Sequence, residues 1–425
     1  MTDSALDKAL RYRWFIFWTL ALGYVLVYFH RLCMSVVAEE MLLDLSATGT
    51  SLGILGAAYF YTYALMQLPA GLLSDSWGPR KTITVFFMVA FAGSLIMAWS
   101  PDITWAIIGR TLVGIGVSML FVPTMKVLAE WFKVREFASM TGILVAMGGI
   151  GSITATTPLA WMSNAVGWRG SFLIVGVISF FLGVLVWTVV RDRPSDKGWP
   201  ATADESSTTE EAIALWQGVK RVLSEPAFWP LALWFFFGCA VFFAFIGQWG
   251  GPYLMQVHGL SKAAAGNVLM MSALGMVAGS PLHSLVSNRV FKARKPSFII
   301  SAAMTLVVVA ALTFFPESLP RPLLYVVCFM MGVFTNAIVV IGFTATKELF
   351  PVRIAGTSTG LVNLFPFMGG AILQPFMGYL LERSGRVAGE FTLEGYQNAF
   401  YAMLVCAVIA LVSSFFIKET LKREE

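Results

Sequence analysis

Twelve continuous apolar runs, each close to twenty residues or longer, constrain this chain more than any other feature of its sequence. They lie near 14–37, 51–73, 82–100, 103–127, 138–162 and 170–190, then near 228–250, 263–287, 296–315, 322–346, 354–381 and 396–417. A helix needs about 20 mostly apolar residues to cross a bilayer, and it satisfies its backbone polar groups internally as it does so. The runs are unbroken rather than alternating, which excludes a strand barrel. Charged residues make up only 12% of the 425, about half of the roughly 25% usual in soluble domains. Mean hydropathy is +0.75. Soluble-enzyme, disordered and collagen-like folds are therefore excluded. The chain reads as an all-α membrane protein with twelve transmembrane helices.

The basic residues set the expected topology. With the N-terminus in the cytoplasm, 22 of the 29 fall in cytoplasmic loops, tails or helix ends. Arg169, Lys262, Arg321, Arg383 and Arg386 fall outside, and Arg31 and Arg110 lie within spans. The reverse orientation inverts that ratio, so both termini are expected inside. Clusters of this kind are topology signals, and the net charge of +5 carries no nucleic-acid reading. The first run lacks an A-x-A site and is expected to stay as a span rather than be cleaved as a signal. No Asn-x-Ser/Thr sequon occurs, which favours a bacterial inner membrane. Cys33, Cys239, Cys328 and Cys406 all sit in apolar runs without redox or metal spacing, so they are expected as core residues. No cofactor or metal is expected.

Residues 191–227 are the one break in composition: a polar stretch, then Ile213, Trp216, Val219 and Leu223 at amphipathic spacing. The expected organisation is a six-span bundle over 1–190, a cytoplasmic linker with a surface helix over 191–227, and a second six-span bundle over 228–425. The halves are related. AEWFKVREFASMTG at 129–142 matches KELFPVRIAGTSTG at 347–360 with an offset of 218, aligning Glu130 with Glu348 and Arg135 with Arg353. Repeats of this kind place a binding site where two similar bundles meet.

Two motifs complete the pattern. The loop after the second run reads Gly71-Leu-Leu-Ser-Asp75-Ser-Trp-Gly78-Pro-Arg80-Lys81, and the fourth run carries Arg110-x-x-x-Gly114-x-Gly116. Together with the six-plus-six layout they resemble the major facilitator superfamily over essentially the whole chain. The resemblance implies transport by alternating access and a gating role for Asp75 and Arg80, whose charge contacts hold the outward-open state. It also implies a structural or gating role for Arg110. The second-half counterpart keeps Gly279, Arg289, Arg294 and Lys295 but has His283 where the acid belongs. The Gly-Pro and Gly-Gly arrangement of drug/proton antiporters is not met around Gly148, Gly149 and Pro158. In the first run, Tyr28-Phe29-His30-Arg31-Leu32-Cys33-Met34-Ser35 is similar to the anion:cation symporter branch, in which the Arg holds a carboxylate and the preceding acid carries the proton. Here His30 stands in place of that acid. Organophosphate:phosphate exchangers are also similar, but they use a second cationic site in span seven, and 228–250 contains no Lys or Arg.

The residues carry an argument of their own. Tyr24, Tyr28, Arg31 and Ser35 share a helical face, as do Tyr59, Tyr63 and Gln67, and Asn363, Phe367, Gly370 and Gln374. With Gln248 and Asn336 these stripes are expected to line a polar cavity, although each residue alone is also ordinary interhelical glue. All 24 acids lie in loops, tails or span ends, while Arg31 and Arg110 lie within spans. Two readings of Arg31 stand: it binds an anionic substrate through its planar fork, or it snorkels to the outer surface. Two readings of His30 also stand, a proton-coupling group or a neutral interhelical hydrogen-bonding residue. The expected function is a monomeric secondary transporter of a small organic anion, proton-coupled, with Arg31, Tyr28, Tyr59, Tyr63, Gln248, Asn336 and Asn363 at the substrate. Its alternatives are an amino-acid or peptide carrier, an organophosphate exchanger, or a transporter-like receptor. No catalytic set is present in the sequence.

Overall fold

The computed structural model describes residues 2–202, 215–351 and 354–421. The linker stretch 203–214 lies outside them, as do Val352 and Arg353 of the second repeat and the side chain of Arg135. Among the described residues ten helices are long and apolar enough to cross a membrane. The shorter helix Ser139–Thr154 and the pair Gly49–Leu65 and Gln67–Ser76 complete twelve spans. Span five continues from Val134–Thr154 into the first turns of Thr157–Val189, and span six follows after Gly167. At Gly167 φ is +70°, which reverses the chain inside what is otherwise continuous helix. Large side chains such as Phe15, Phe181 and Phe416 are exposed on the spans, where lipid rather than water covers them.

Helix starts follow the local chemistry. The Asp102 carboxylate accepts the amides of Thr104 (2.8 Å) and Trp105 (3.1 Å) to begin span four. Thr392 caps span twelve through the amide of Gly395 at 3.1 Å. A two-residue antiparallel hairpin pairs Arg386 with Phe391 and Val387 with Glu390 between spans eleven and twelve. In the linker helix Leu215–Leu223, Gly218 and Val222 are buried and Val219 is half-buried, while Trp216 and Leu223 of the expected apolar face are exposed, as are Gln217, Lys220 and Arg221; Ile213 lies outside the described residues. All four cysteines are free, three of them buried.

Several spans are interrupted. Spans one and two each break at one residue, Cys33 and Met66, and span four breaks at Met119–Leu120. Span seven passes through a π-helical turn at Phe245–Trp249, span eight at Val286–Phe291 and span ten at Gly332–Ala337. A π turn widens the backbone ring and frees polar groups from the regular ladder.

By contact, the chain forms two compact units. One comprises Met1–Arg31, Thr62–Ala155 and Met162–Thr209; the other comprises Leu32–Tyr61, Thr156–Trp161 and Glu210–Glu425. The division cuts spans one, two and five. Within the second unit, Ser35 Oγ accepts the amide of Gly251 at 2.9 Å, Glu40 pairs with Lys262, and the Glu382 carboxylate accepts the amide of Gly49 at 2.7 Å. These contacts hold 32–61 against spans seven, eight and eleven.

Candidate functional site

In the first unit, the helical period puts Tyr24, Tyr28 and Arg31 on one face of span one. Their packing makes a cage. The Tyr24 and Tyr28 rings meet edge to face at 5.3 Å, and Gly148 of span five leaves room for both. The Arg31 guanidinium carbon lies 4.3 Å over the Tyr28 ring and 5.0 Å over that of Tyr63, brought in by span two. Arg31 is 6% exposed, so its charge is held among aromatic faces and does not reach the surface. One turn beyond, Gln67 Nε2 donates to the Tyr63 carbonyl at 3.1 Å.

His30 and Arg110 are both fully buried. Arg110 Nη2 donates to the His30 carbonyl at 2.6 Å, so the span-four arginine secures the backbone of span one next to Arg31. The His30 ring stands edge to face against Phe29 at 5.7 Å.

In the second unit, Tyr59 is buried beside Phe60, whose ring packs on Phe243 at 4.9 Å. Gln248 lies within the π turn of span seven, and its Nε2 donates to the Leu52 carbonyl at 3.1 Å. Gln374 of span eleven does likewise to the Phe243 carbonyl at 2.9 Å. Asn336 sits in the π turn of span ten and Asn363 early in span eleven, both part-exposed. The structure thus groups Arg31, Tyr28 and Tyr63 in one unit, and Tyr59, Gln248, Asn336 and Asn363 in the other.

The turn after span two is built from two contacts. Asp75 pairs with Lys126 of span four at 2.7 Å, and Lys126 also donates to the Ser74 carbonyl at 3.1 Å. Arg80 turns the other way. Its guanidinium donates to the Trp187 carbonyl near the end of span six, at 2.8 and 2.5 Å, and lies 4.1 Å over the Trp187 ring. The Asp192 carboxylate accepts the Arg80 amide at 2.7 Å, placing negative charge at the start of span three. Gly78, with φ at +86°, is required twice over: its backbone is left-handed, and Asp192 Oδ2 occupies the place a Cβ would take. Burial raises the pKa of Asp192 above the ordinary carboxylate value, against the lowering effect of the Arg80 amide.

Sequence reasoning missed Lys126 and Asp192, and it named Arg294 only as a retained charge of the second-half motif. Arg294 donates to Glu348 at 2.8 Å, to Ser287 at 3.0 Å and to Asn288 at 2.5 Å. Glu348 stood in the repeat, and Asp192 lies two residues past the end of an apolar run, so both carried a signal. Lys126 had none.

Twelve helical spans, charged turns at their ends and a guanidinium held among tyrosines within them define a polytopic carrier of solutes. Residues 20–261 and 250–425 match the Major Facilitator Superfamily, and the chain belongs to it. It is a multi-pass membrane protein of a transporter family, not an enzyme. It is 25% identical to a probable hexose phosphate transport protein of Chlamydia trachomatis, over 93% of this chain and 89% of that one. It is 23% identical to the probable sulfoacetate transporter SauU of Cupriavidus necator, over 92% of each. It is 26% identical to the membrane sensor protein UhpC of Salmonella typhimurium, over 85% of this chain and 84% of the sensor. Among solved structures, a bacterial homologue of the human lysosomal transporter Spinster shares the fold with a TM-score of 0.74, at 19% identity and 96% coverage of both chains.

Proposed function

We propose that the chain is a secondary active transporter of a small organic anion, working by alternating access between six-span bundles 1–190 and 228–425 joined by the linker 191–227. The observation that carries this reading is the Arg31 guanidinium, buried and stacked on Tyr28 and Tyr63. A cation inside the spans of a chain whose acids all lie in loops or at span ends suits a carboxylate or phosphate ligand. Tyr59, Gln248, Asn336 and Asn363 add neutral polar groups for the rest of the solute. Relatives named for sulfoacetate and hexose phosphate carry anions, in keeping with the reading. His30, adjacent to Arg31, is the proton-coupling group. Asp75, Arg80 and Arg110 act in gating. The protein works as a monomer in a bacterial inner membrane with both termini in the cytoplasm.

A binding screen on the purified protein tests this. A ligand that binds the native state raises its melting temperature by mass action. An organic acid is expected to stabilise the wild type, more at pH 6 than at pH 8, and to fail with Arg31→Ala. His30→Gln is expected to remove the pH difference. Stabilisation by amino acids alone, indifferent to Arg31, defeats the proposal. The sensor relative favours a second reading, a receptor that binds an anion without moving it. Accumulation of the bound acid in proteoliposomes separates the two.

A further inference from the structure

Within the second unit, the start of span two is fastened to the end of span eleven by charged groups. Glu382 Oε2 accepts the amide of Gly49, the first residue of the helix Gly49–Leu65, at 2.7 Å. The carboxylate thus satisfies a helix N-terminus from another span, where the helix dipole favours negative charge. Arg386, four residues on, donates through Nη2 to the same oxygen at 2.8 Å and to the Ala47 carbonyl at 3.0 Å. Its guanidinium carbon lies 4.7 Å over the Phe391 ring. Burial raises the pKa of Glu382, but the Gly49 amide and Arg386 more than offset it and hold the carboxyl below its ordinary value. The contact is one made by the charged form.

Beyond the charges the two spans meet along bare backbone. Gly49, Gly53 and Gly56 share one face of their helix. A Cβ at Gly49 would lie 2.6 Å from the Gly378 carbonyl oxygen, and one at Gly53 would lie 2.6 Å from Pro375 Cα and 2.7 Å from the Gln374 carbonyl oxygen. At Gly56 the seam meets side chains: a Cβ there would lie 2.7 Å from Gln374 Oε1 and closer still to Gln248 Oε1. Both amides are 0% exposed, and their nitrogens donate to the Phe243 and Leu52 carbonyls. Neither Oε1 meets a hydrogen-bond donor among the described residues. A buried acceptor without a donor is costly, and the cost is relieved when the glycine withdraws and a donor reaches it. The seam is therefore close-packed but opposed from within, and the charged end holds it shut.

We propose that Glu382 and Arg386 form a latch at the end of span eleven expected outside: they hold span two on span eleven while that side is closed, and their release opens it to solute. This rests on the reading of the chain as a carrier whose bundles 1–190 and 228–425 move against each other. Span two belongs to the first bundle and span eleven to the second, so a seam between them parts in each cycle. Glu382 then sets how often the seam opens without touching the solute, a positioning role. The two amide oxygens at Gly56 work against it.

The test follows alkylation of a reporter cysteine in the full-length protein in nanodiscs. Cys406, the one cysteine that is not buried, is replaced by serine, and Ala371→Cys supplies the reporter. Ala371 is 0% exposed and shares a helical face with Gln374 and Gly378. With a water-soluble maleimide, Glu382→Gln is expected to react at least about tenfold faster than its parent, the ratio that one charge-assisted hydrogen bond supports, while buried Cys328 stays unreactive. Equal rates overturn the latch. So does parallel reaction of Cys328, which marks a general loosening. Gly53→Ala leaves the charges in place and wedges the seam at Pro375, although alanine by itself strengthens a helix. It is expected to speed alkylation too, and decides alone if Glu382→Gln does not fold; no acceleration overturns the latch. If the rates rise as expected but the parent accumulates no organic acid in proteoliposomes, the seam opens as proposed and the carrier reading falls.

Discussion

The turn after span two and the turn after span eight do one mechanical job with different chemistry. In both, a carboxylate from just beyond the closing span of that half accepts amides at the start of the next helix. Asp192 takes the amide of Arg80, and Glu419 takes those of Arg294 and Lys295 at 2.8 and 3.0 Å. The difference lies in the side chains. In the first half the motif acid Asp75 is 75% exposed and meets Lys126 across a surface pair. In the second half the acid is replaced by His283, which is buried on the Val333 carbonyl at 3.0 Å. The turn is held instead by Arg294, whose side chain is 7% exposed, bound to Glu348, Ser287 and Asn288, with Thr420 also donating to Glu348 at 2.6 Å. A pair that opens and closes is best kept wet, where breaking it costs little. A buried network locks its turn.

That contrast can be broken by mutation. Arg294→Ala is expected to have the largest effect, about 3–5 kcal/mol of lost stability, because it strands a partly buried Glu348 and two polar neighbours. Asp75→Asn is expected to cost no more than about 1 kcal/mol and to act on transport rate instead. Apparent melting temperatures of the two variants decide the matter, and equal losses would remove the distinction between the turns. Next in size is Gly78→Ala, expected to destabilise by about 1–3 kcal/mol through its positive φ and the collision with Asp192. The second turn has Lys292 at φ +47°, so Lys292→Gly is expected to gain up to about 1 kcal/mol.

The smallest effects are in pH dependence, and their signs are opposite. Burial raises the pKa of Glu419, but its backbone hydrogen bonds more than offset that and hold it below the ordinary value. Its contribution is therefore present above the unfolded pKa, about 4.3, and is lost as pH falls through the folded one. Asp192 is raised by burial, so the folded state loses stability as pH rises from the unfolded pKa towards the folded value. Melting curves between pH 3 and 7 should flatten at the acid limb in Glu419→Gln and lose the opposite slope in Asp192→Asn. Slopes of one sign at both sites would remove the predicted difference between the two caps.

The interruptions sharpen the comparison between halves. Breaks at Cys33, Met66 and Met119–Leu120 fall in spans one, two and four; π turns at Phe245–Trp249, Val286–Phe291 and Gly332–Ala337 fall in spans seven, eight and ten. Adding the repeat offset of 218 to the first set lands on or within two or three residues of the second. The repeat at 129–142 and 347–360 was legible as letters. Its extension to the positions where helices loosen was not, because a π turn has no composition of its own.

What the sequence determined by itself was everything that follows from transfer of apolar surface out of water. The twelve runs and the placement of charges at their ends need only the cost of a polar group in hydrocarbon, which is large for every residue; of the four cysteines expected in the core, three are buried and Cys406 is half-exposed. Gly78 was legible as part of a motif, and Arg31 as a charge inside a span. The tertiary structure alone decided where Arg31 points, that Asp75 meets Lys126 while Arg80 meets Trp187 and Asp192, and that Gln248 and Gln374 aim their oxygens at one glycine. Those choices depend on which helix faces come together, and segments far apart in the chain settle them by packing. A hydropathy pattern specifies that a face is buried. Only the fold supplies the partner it is buried against.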